Sequence, residues 1–306
     1  MSNDSKKKKL TLFNGKMVSE PIIKSPLNYI GGKYKLLKQI LPLFPDDIKL
    51  FVDLFAGGCN VGINVNTEKV WFNDNLIFLV DMYKKFQQLE LKEVLEHIDS
   101  RIKEYDLSLT NGTGYKELRE LYNTKREPLD LFVLIAYSFN HQIRFNNSHK
   151  FNNPFGKERS CFNSSMKKNL EDFISGLHSR ETVFTANQFD DFDFQILTPK
   201  DFVYCDPPYL ITTGTYNDGK RGFTGWTKAE EVKLLDILDG LNKRNIRFGL
   251  SNVIEHKGKE NQLLKQWLSK NFEYKVHLLN HNYSNSNYHT KDRNRYSTKE
   301  VLITNY

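Results

Sequence analysis

Residues 202–209 read Phe-Val-Tyr-Cys-Asp-Pro-Pro-Tyr, and this stretch restricts the chain more than any other. The apolar run 202–205 has the length and composition of a buried strand. Pro207 and Pro208 then fix φ, carry no backbone donor and push the residues before them out of the helical region. The chain must leave the strand as a stiff, extended corner. That corner offers the Asp206 carboxylate, the Pro207 carbonyl and the ring of Tyr209. Two acceptors suit an amino group, and a flat ring suits a planar base. The plainer alternative is a strand that ends in a Pro-Pro turn, with Tyr209 packed on the core.

The rest of the chain must fit around that corner. Its 306 residues make one large domain, or a domain with a sizeable insertion, and 39% hydrophobic content can fill a core. The net charge of +7 suits a polyanionic partner, although solubility alone accounts for a modest excess of Lys and Arg. Cys59, Cys161 and Cys205 lie far apart, without a CxxC pair or a His at metal spacing. That pattern argues against a disulfide framework or a zinc site and for a reducing compartment. No signal peptide or membrane-length apolar run is legible, so the expected location is the cytoplasm. No Ser-His-Asp or HExxH pattern suggests hydrolysis.

Residues 1–23 read as a flexible tail that carries Lys6 to Lys9. At 28–33, Asn-Tyr-Ile-Gly-Gly-Lys leads into an amphipathic helix with Leu36, Leu37, Ile40 and Leu41 on one side. Glycines just before a helix let backbone N–H groups approach an anion, and Lys33 adds a positive charge. The run 50–54 reads as a strand, followed by a glycine turn at 55–58 into a helix. A second strand, 69–72, ends at Asn73-Asp74-Asn75. An acid at that point is where a nucleotide-binding β-loop-α unit carries its ribose ligand, and Asp74 serves equally as a helix cap.

From residue 85 the pattern turns helical, with segments near 89–105, 114–123 and 128–139. A hairpin or loop rich in Asn, aromatics and basic residues follows at 139–159, with its turn near 146–150. Asn and Arg are the side chains that make bidentate contacts to adenine and guanine edges, although a hydrated surface hairpin has the same composition. After a helix from Ser164, strands are expected at 182–185, 202–205, 246–250, 272–279 and 300–304. Helices are expected at 227–242, behind a Thr-x-x-Glu capping box, and at 259–268. A basic loop with Lys291, Arg293 and Arg295 precedes the last strand.

Four features thus stand in order: Tyr-Ile-Gly-Gly-Lys, Phe-Ala-Gly-Gly with Asp74 downstream, Phe-Asn-Asn-Pro-Phe-Gly and Asp-Pro-Pro-Tyr. This set resembles the Dam-type DNA adenine-N6 methyltransferases over most of the chain, from about Lys24 to the last strand. The resemblance implies an α/β fold: a Rossmann-like S-adenosylmethionine methyltransferase sheet with helices on both faces. An inserted, mainly helical target-recognition domain carrying a β-hairpin would occupy 85–164, between catalytic parts at 24–84 and 165–306.

It implies S-adenosylmethionine at Tyr29, Lys33, Phe55, Gly57, Asp74 and Asp206, with no metal. It places Asp206, Pro207 and Tyr209 in the catalytic loop. Duplex DNA would meet Asn140, Arg144, Asn152, Pro154, Lys157 and Arg159. The expected setting is a monomer within a restriction-modification system, functionally paired with a cognate endonuclease. Two departures stand out. Tyr29 replaces the Trp of many relatives, which preserves stacking. The hairpin reads Asn-His-Gln-Ile-Arg-Phe-Asn where relatives that read GATC have Asn-Gly-Leu-Cys-Arg-Tyr-Asn, which leaves the recognition sequence open.

A methyltransferase acting on RNA or a protein glutamine, and a non-catalytic DNA-binding module, are the competing readings. Enzymes of the former kind more often resemble Asn-Pro-Pro-Tyr loops without an inserted basic hairpin. The retained set Lys33, Asp74 and Asp206 argues against the latter.

Overall fold

Apolar runs bounded by glycine, proline and polar turns become the strands of one sheet. In the computed structural model, residues 11–13, 16–18, 22–212, 226–280 and 298–306 are described. Strands β1 (Thr11–Phe13) and β2 (Lys16–Val18) form a small antiparallel pair. The main sheet holds β3 (Leu50–Asp53), β4 (Lys69–Asn73), β5 (Glu181–Thr185), β6 (Phe202–Cys205), β7 (Arg247–His256), β8 (Lys259–Glu260), β9 (Lys275–Leu279) and β10 (Thr298–Thr304). Its order is β5-β4-β3-β6-β7-β10-β9, with β8 beside β7. Strands β5, β4, β3, β6 and β7 are parallel, and β10 runs antiparallel between β7 and β9.

Alternate residues of each central strand feed opposite cores, as the two-residue strand period requires. Phe51, Phe202 and Tyr204 face one core; Val52, Val203 and Cys205 face the other. Helices α1 (Leu37–Ile40), α2 (Ile77–Gln88) and α6 (Ser164–His178) bury their apolar sides in the first core. Helices α7 (Lys228–Lys243) and α8 (Gln262–Lys270) fill the second. The sheet is therefore flanked by helices on both faces, as expected. Helix α7 begins with the expected capping box of Thr227 and Glu230.

Three more helices, α3 (Leu91–Glu104), α4 (Gly112–Lys125) and α5 (Pro128–Tyr137), follow α2 in the chain. Every residue of α5 from Leu129 onward is buried, so α5 is the centre of this group and not its surface. It packs on α2, where the rings of Phe86 and Phe132 meet edge to face at 5.5 Å. Residues of α3, α4 and α5 belong to the same hydrophobic core as the sheet. The one acid inside α5, Asp130, is fully buried; it accepts from Arg101 Nε at 2.7 Å and lies 2.8 Å from His97 Nε2. A buried carboxylate needs such partners, and here they tie α3 to α5.

Several boundaries differ from the sequence reading, among them strand β9, which begins at Lys275 and not at 272, and three of the differences have a local cause. The glycine turn after β3 does not open a full helix; only a single 3-10 turn, Gly62–Asn64, forms there. The Gly62 N–H is claimed by Asp53 Oδ2 at 3.0 Å, and Asn64 bonds back to Ile23 and Asn60, so the helical ladder is broken by side chains. Strand β7 continues to His256, because buried Ser251 and Asn252 find partners in Tyr204 and Glu231. Helix α8 starts at Gln262, after β8, because Asn261 caps it by accepting from Leu264 N–H at 3.1 Å. Of the expected flexible tail at 1–23, residues 1–10 lie outside the described residues, as does the basic loop at Lys291, Arg293 and Arg295, whereas the strands β1 and β2 fall inside that tail and pair with each other.

The centre of the sheet rests on aromatic packing. Phe202 stacks on Phe51 at 5.5 Å and touches Phe44 at 4.9 Å and Tyr306 at 5.9 Å. Removing a large buried ring costs the transfer energy plus a cavity, about 3–5 kcal/mol. Phe202→Ala is expected to lower the unfolding free energy by about that amount in urea titration, with the slope m unchanged.

Candidate active site

Chain order reverses between β3 and β6, which lie side by side while their continuations run to opposite edges of the sheet. Open parallel sheets hold their ligands at such a point, outside the carboxyl ends of the strands. Asp53 ends β3 and Asp206 follows β6, so two carboxylates converge there from sequence-distant segments. A cavity of ≈ 1500 Å³ opens above them. Its wall includes Tyr29, Lys33, Phe55, Gly57, Asp74, Asp206 and Pro207, all expected at the site.

The Asp-Pro-Pro-Tyr corner is held by charge. Lys33 Nζ sits 2.7 Å from Asp206 Oδ2 and donates to the Gly31 carbonyl at 2.9 Å. A second carboxylate, Glu300 of β10, lies 3.6 Å from the same ammonium. The Tyr209 hydroxyl contacts Asp206 Oδ1 at 3.0 Å and Glu300 Oε1 at 2.9 Å. Burial raises the Asp206 carboxyl above its ordinary range, and Lys33 pulls it back. Tyr209 is 5% exposed and its ring lies 5.0 Å beneath Lys33 Nζ. The structure therefore places Tyr209 differently from the reading that offers its ring to a base. It packs inward, because its hydroxyl is drawn between two carboxylates.

Asp74 clasps the glycine turn. Its Oδ2 accepts from the Gly57 N–H at 2.9 Å and its Oδ1 from the Leu76 N–H at 2.9 Å, just ahead of α2. Asp74 thus braces the backbone just before α2 and also lines the cavity. Gly57 has a φ of +46°, and a Cβ there would lie 2.7 Å from the Tyr29 ring. Only glycine gives both the turn and the room for the ring. The Tyr83 hydroxyl, inside the core, donates to the Gly57 carbonyl at 2.8 Å and fixes the loop from below.

The opposite wall is aromatic. Phe55, Phe189 and Trp226 meet pairwise at centroid distances of 5.5, 5.6 and 5.3 Å. Trp226 is aimed by Glu231, whose Oε2 accepts from the indole N–H at 2.7 Å. Glu231 is itself buried and accepts from Asn252 and Asn261 at 3.0 and 2.9 Å.

The hairpin forms the remaining side. Phe145 and Phe151 pair across it, and the Asn146 N–H donates to the Lys150 carbonyl around the expected turn. Asn146 and Asn152 line the cavity. Asn123 of α4 bonds both the N–H and the carbonyl of Phe151, and the Tyr115 hydroxyl donates to the Asn153 carbonyl at 2.8 Å. Asn28, next to the Tyr29 loop, donates to the Asn140 carbonyl at 3.0 Å. Arg144 Nε and Asn152 Oδ1 are buried without a hydrogen-bond partner among the described residues. Pro154, Lys157 and Arg159 are exposed, with the Arg159 guanidinium 5.2 Å from the Phe139 ring.

Residues 29–285 match the model of the D12 class N6 adenine-specific DNA methyltransferases. The chain belongs to this family. It is 53% identical over 292 residues to the type II methyltransferase M.FokI of Planomicrobium okeanokoites, which covers 95% of this chain and 44% of that protein. It is 54% identical over 285 residues to the modification methylase StsI of Streptococcus sanguinis, covering 93% and 43%. The DNA adenine methylase of Escherichia coli (strain K12) is 24% identical over 258 residues, covering 83% and 86%. The chain thus spans less than half the length of the first two relatives.

Sequence reasoning missed three acids around this cavity and its supports: Asp53, Glu231 and Glu300. Each lies in a strand or helix whose pattern otherwise reads as scaffold. Only an unexplained carboxylate in a buried run, such as Asp53 after Phe-Val, could have signalled them. Among the described residues no helix is long and apolar enough to cross a membrane. Nor do the described residues contain a group of three His, Cys, Asp or Glu side chains able to hold a metal ion.

Burial pushes the Asp53 carboxyl up to about 7, against the Gly62 N–H that favours the ionised form, with Asp206 and Asp74 adding to the rise. The folded chain therefore holds a proton there that the unfolded chain releases near 3.8. Stability falls wherever the folded state binds more protons, so this group's contribution declines as pH rises from 3.8 to about 7 and is flat above. Asp53→Asn cannot ionise. Its melting temperature is expected to fall less than that of the wild type between pH 5 and pH 7.5, as read by calorimetry at matched ionic strength.

Proposed function

We propose that this chain is an S-adenosylmethionine-dependent, sequence-specific DNA adenine-N6 methyltransferase that acts on a flipped adenine in a short duplex site. One observation carries the reading. Asp206 and Pro207 line the same cavity as the Asp74-Gly57-Tyr29 clasp, and the hairpin residues Asn146 and Asn152 line it too. Cofactor, target base and target-reading surface would meet in one space.

The cavity suits the methyl donor. Its volume exceeds the ~300–1,000 Å³ of ordinary ligand pockets, so two ligands can share it. The carboxylates of Asp53, Asp74 and Asp206 offset a cationic ligand, and the Phe55, Phe189 and Trp226 wall suits a flat ring. Asp74, already clasping the glycine turn, is proposed to hold the ribose hydroxyls, with Tyr29 and Lys33 completing the contact. S-adenosylmethionine supplies a methyl group on positively charged sulfur.

The amino nitrogen of adenine is a poor nucleophile, because its lone pair is delocalised into the ring. The Asp206 carboxylate and the Pro207 carbonyl accept its two hydrogens, favour pyramidal geometry and localise the lone pair. Bound S-adenosylmethionine would supply the methyl group to that pair, its sulfur keeping the C–S electrons, and the amino proton released would pass by way of the Asp206 carboxylate to solvent. The Tyr209 hydroxyl holds the Asp206 carboxylate in place.

Residues 85–164 are proposed to read the DNA. Arg144 and Asn152, each with an unsatisfied buried polar atom, would contact base edges, with Asn140 and Pro154 beside them. Lys157 and Arg159 would contact phosphates. Two relatives bear the name modification methylase, which supports a restriction-modification setting with a cognate endonuclease. We place the protein in the cytoplasm as a monomer.

Two measurements test these roles. Tritiated S-adenosylmethionine with unmethylated plasmid DNA should give methyl transfer by the wild type, with the label recovered as N6-methyladenine. Asp206→Ala is expected to cut turnover by ~10²- to 10³-fold, the usual cost of one preorganised electrostatic partner. Near-normal turnover in that variant would sink the mechanism. Once sequencing of the methylated DNA has given the site, Arg144→Ala is expected to cost ~1–3 kcal/mol in binding it and to relax specificity at one position. A uniform loss across mismatched duplexes, with a shallower salt slope, would move Arg144 to the phosphate class.

A further inference from the structure

The catalytic corner contains a carboxylate with no part in the reading above. Glu300 is 2% exposed and sits on β10, two strands away from β6. The β10 register shifts between Lys299 and Glu300, the kind of irregularity that re-aims a side chain next to a site. Past the shift, Val301, Leu302 and Ile303 alternate between the two cores. Glu300 thus shares the strand face of Leu302, which is lined by apolar side chains. Burying a carboxylate there is costly unless it is paired and hydrogen-bonded. Among the described residues its partners include the Tyr209 hydroxyl at 2.9 Å and the Lys33 ammonium at 3.6 Å.

Lys33 therefore stands between two carboxylates, close to Asp206 and slightly farther from Glu300. The proposed chemistry makes conflicting demands on Asp206. Its carboxylate must accept from the substrate amino group, yet Oδ1 already accepts from the Tyr209 hydroxyl and Oδ2 lies 2.7 Å from a cation that withdraws its electron density. Lys33 cannot leave without a counter-ion, because a buried ammonium without one is strongly disfavoured. Glu300 removes the conflict. A shift of about an ångström, within the freedom of a four-carbon side chain, would exchange the near and far partners.

We propose that Glu300 is a positioning residue: it receives the Lys33 ammonium when Asp206 turns to the adenine amino group, so that Asp206 meets the substrate as a full acceptor. The inference rests on the amino-accepting role given to Asp206 above. Tyr209 supports the exchange, since its hydroxyl touches both carboxylates and keeps them aligned as the cation moves. Glu300 itself need not touch substrate or cofactor.

Single-turnover transfer from tritiated S-adenosylmethionine to unmethylated plasmid DNA tests this in wild type, Glu300→Gln, Glu300→Asp and Asp206→Ala. The amide in Glu300→Gln keeps an acceptor for Tyr209 but removes the negative charge. Its transfer rate is expected to fall about tenfold to a hundredfold, less than for a group in direct contact with the reacting atoms. S-adenosylhomocysteine affinity by calorimetry should stay within about twofold, since without DNA Lys33 keeps Asp206 and the Gly31 carbonyl as its nearer partners, and the melting temperature should hold. Glu300→Asp retains the charge and should recover most of the rate. A wild-type rate in Glu300→Gln would overturn the proposal. So would equal losses in Glu300→Gln and Glu300→Asp together with lowered melting temperatures, which would mark Glu300 as scaffold. If the wild type fails to label DNA, or if Asp206→Ala keeps its rate, the amino-accepting reading falls first and this inference with it.

Discussion

The ion pair between Lys33 and Asp206 is the contact on which the site depends. It joins the loop before α1 to the corner after β6, two segments far apart in the chain. Neither segment could hold its shape alone. The loop is glycine-rich, and the corner is two prolines with few backbone donors. Buried at 5% exposure, Lys33 is poorly screened by solvent and binds strongly to what surrounds it. The ring of Tyr209 beneath it and the Gly31 carbonyl beside it complete a cage for one positive charge.

Around that pair the site is built from backbone groups held by side chains. Asp74 grips two amides, Tyr83 grips the Gly57 carbonyl, and Asp53 grips the Gly62 amide. Buried acids with raised affinities for protons are the cost of this arrangement. A positively charged ligand would relieve it, so ligand binding and the ionisation of these acids are coupled.

Much of this was legible in the sequence. The strands at β3, β4, β6 and β10 announce themselves as apolar runs with sharp polar ends, and Thr227 with Glu230 marks the start of α7. Asp206 and Asp74 were readable because prolines and glycines flank them, and those residues constrain the backbone visibly. Glu300, Asp53 and Glu231 were not readable. Their meaning comes from long-range partners, Tyr209, Gly62 and Trp226, which no local pattern reveals. The same holds for Tyr209. Its ring reads as a stacking face in isolation, and only the presence of Glu300 across the sheet shows why its hydroxyl turns inward. The short turn at Gly62–Asn64 was misread as a helix because side-chain capture of backbone amides leaves no periodic signal.

The continuity of the core has a consequence for how such a chain can diversify. Helices α3 to α5 carry the hairpin, yet their apolar residues share one core with the sheet, through contacts such as Phe86 on Phe132. A segment packed this way is not an interchangeable cassette. Transplanting it whole into a distant relative would expose mismatched faces on both sides of the graft. The tip of the hairpin, residues 146–150, is anchored at its base by Asn123 and Asn153 and is half-buried to exposed beyond them. Under the DNA-reading role proposed for the hairpin, new target preferences would therefore arise by drift at that tip, residue by residue, while the helices beneath it stay bound to the sheet.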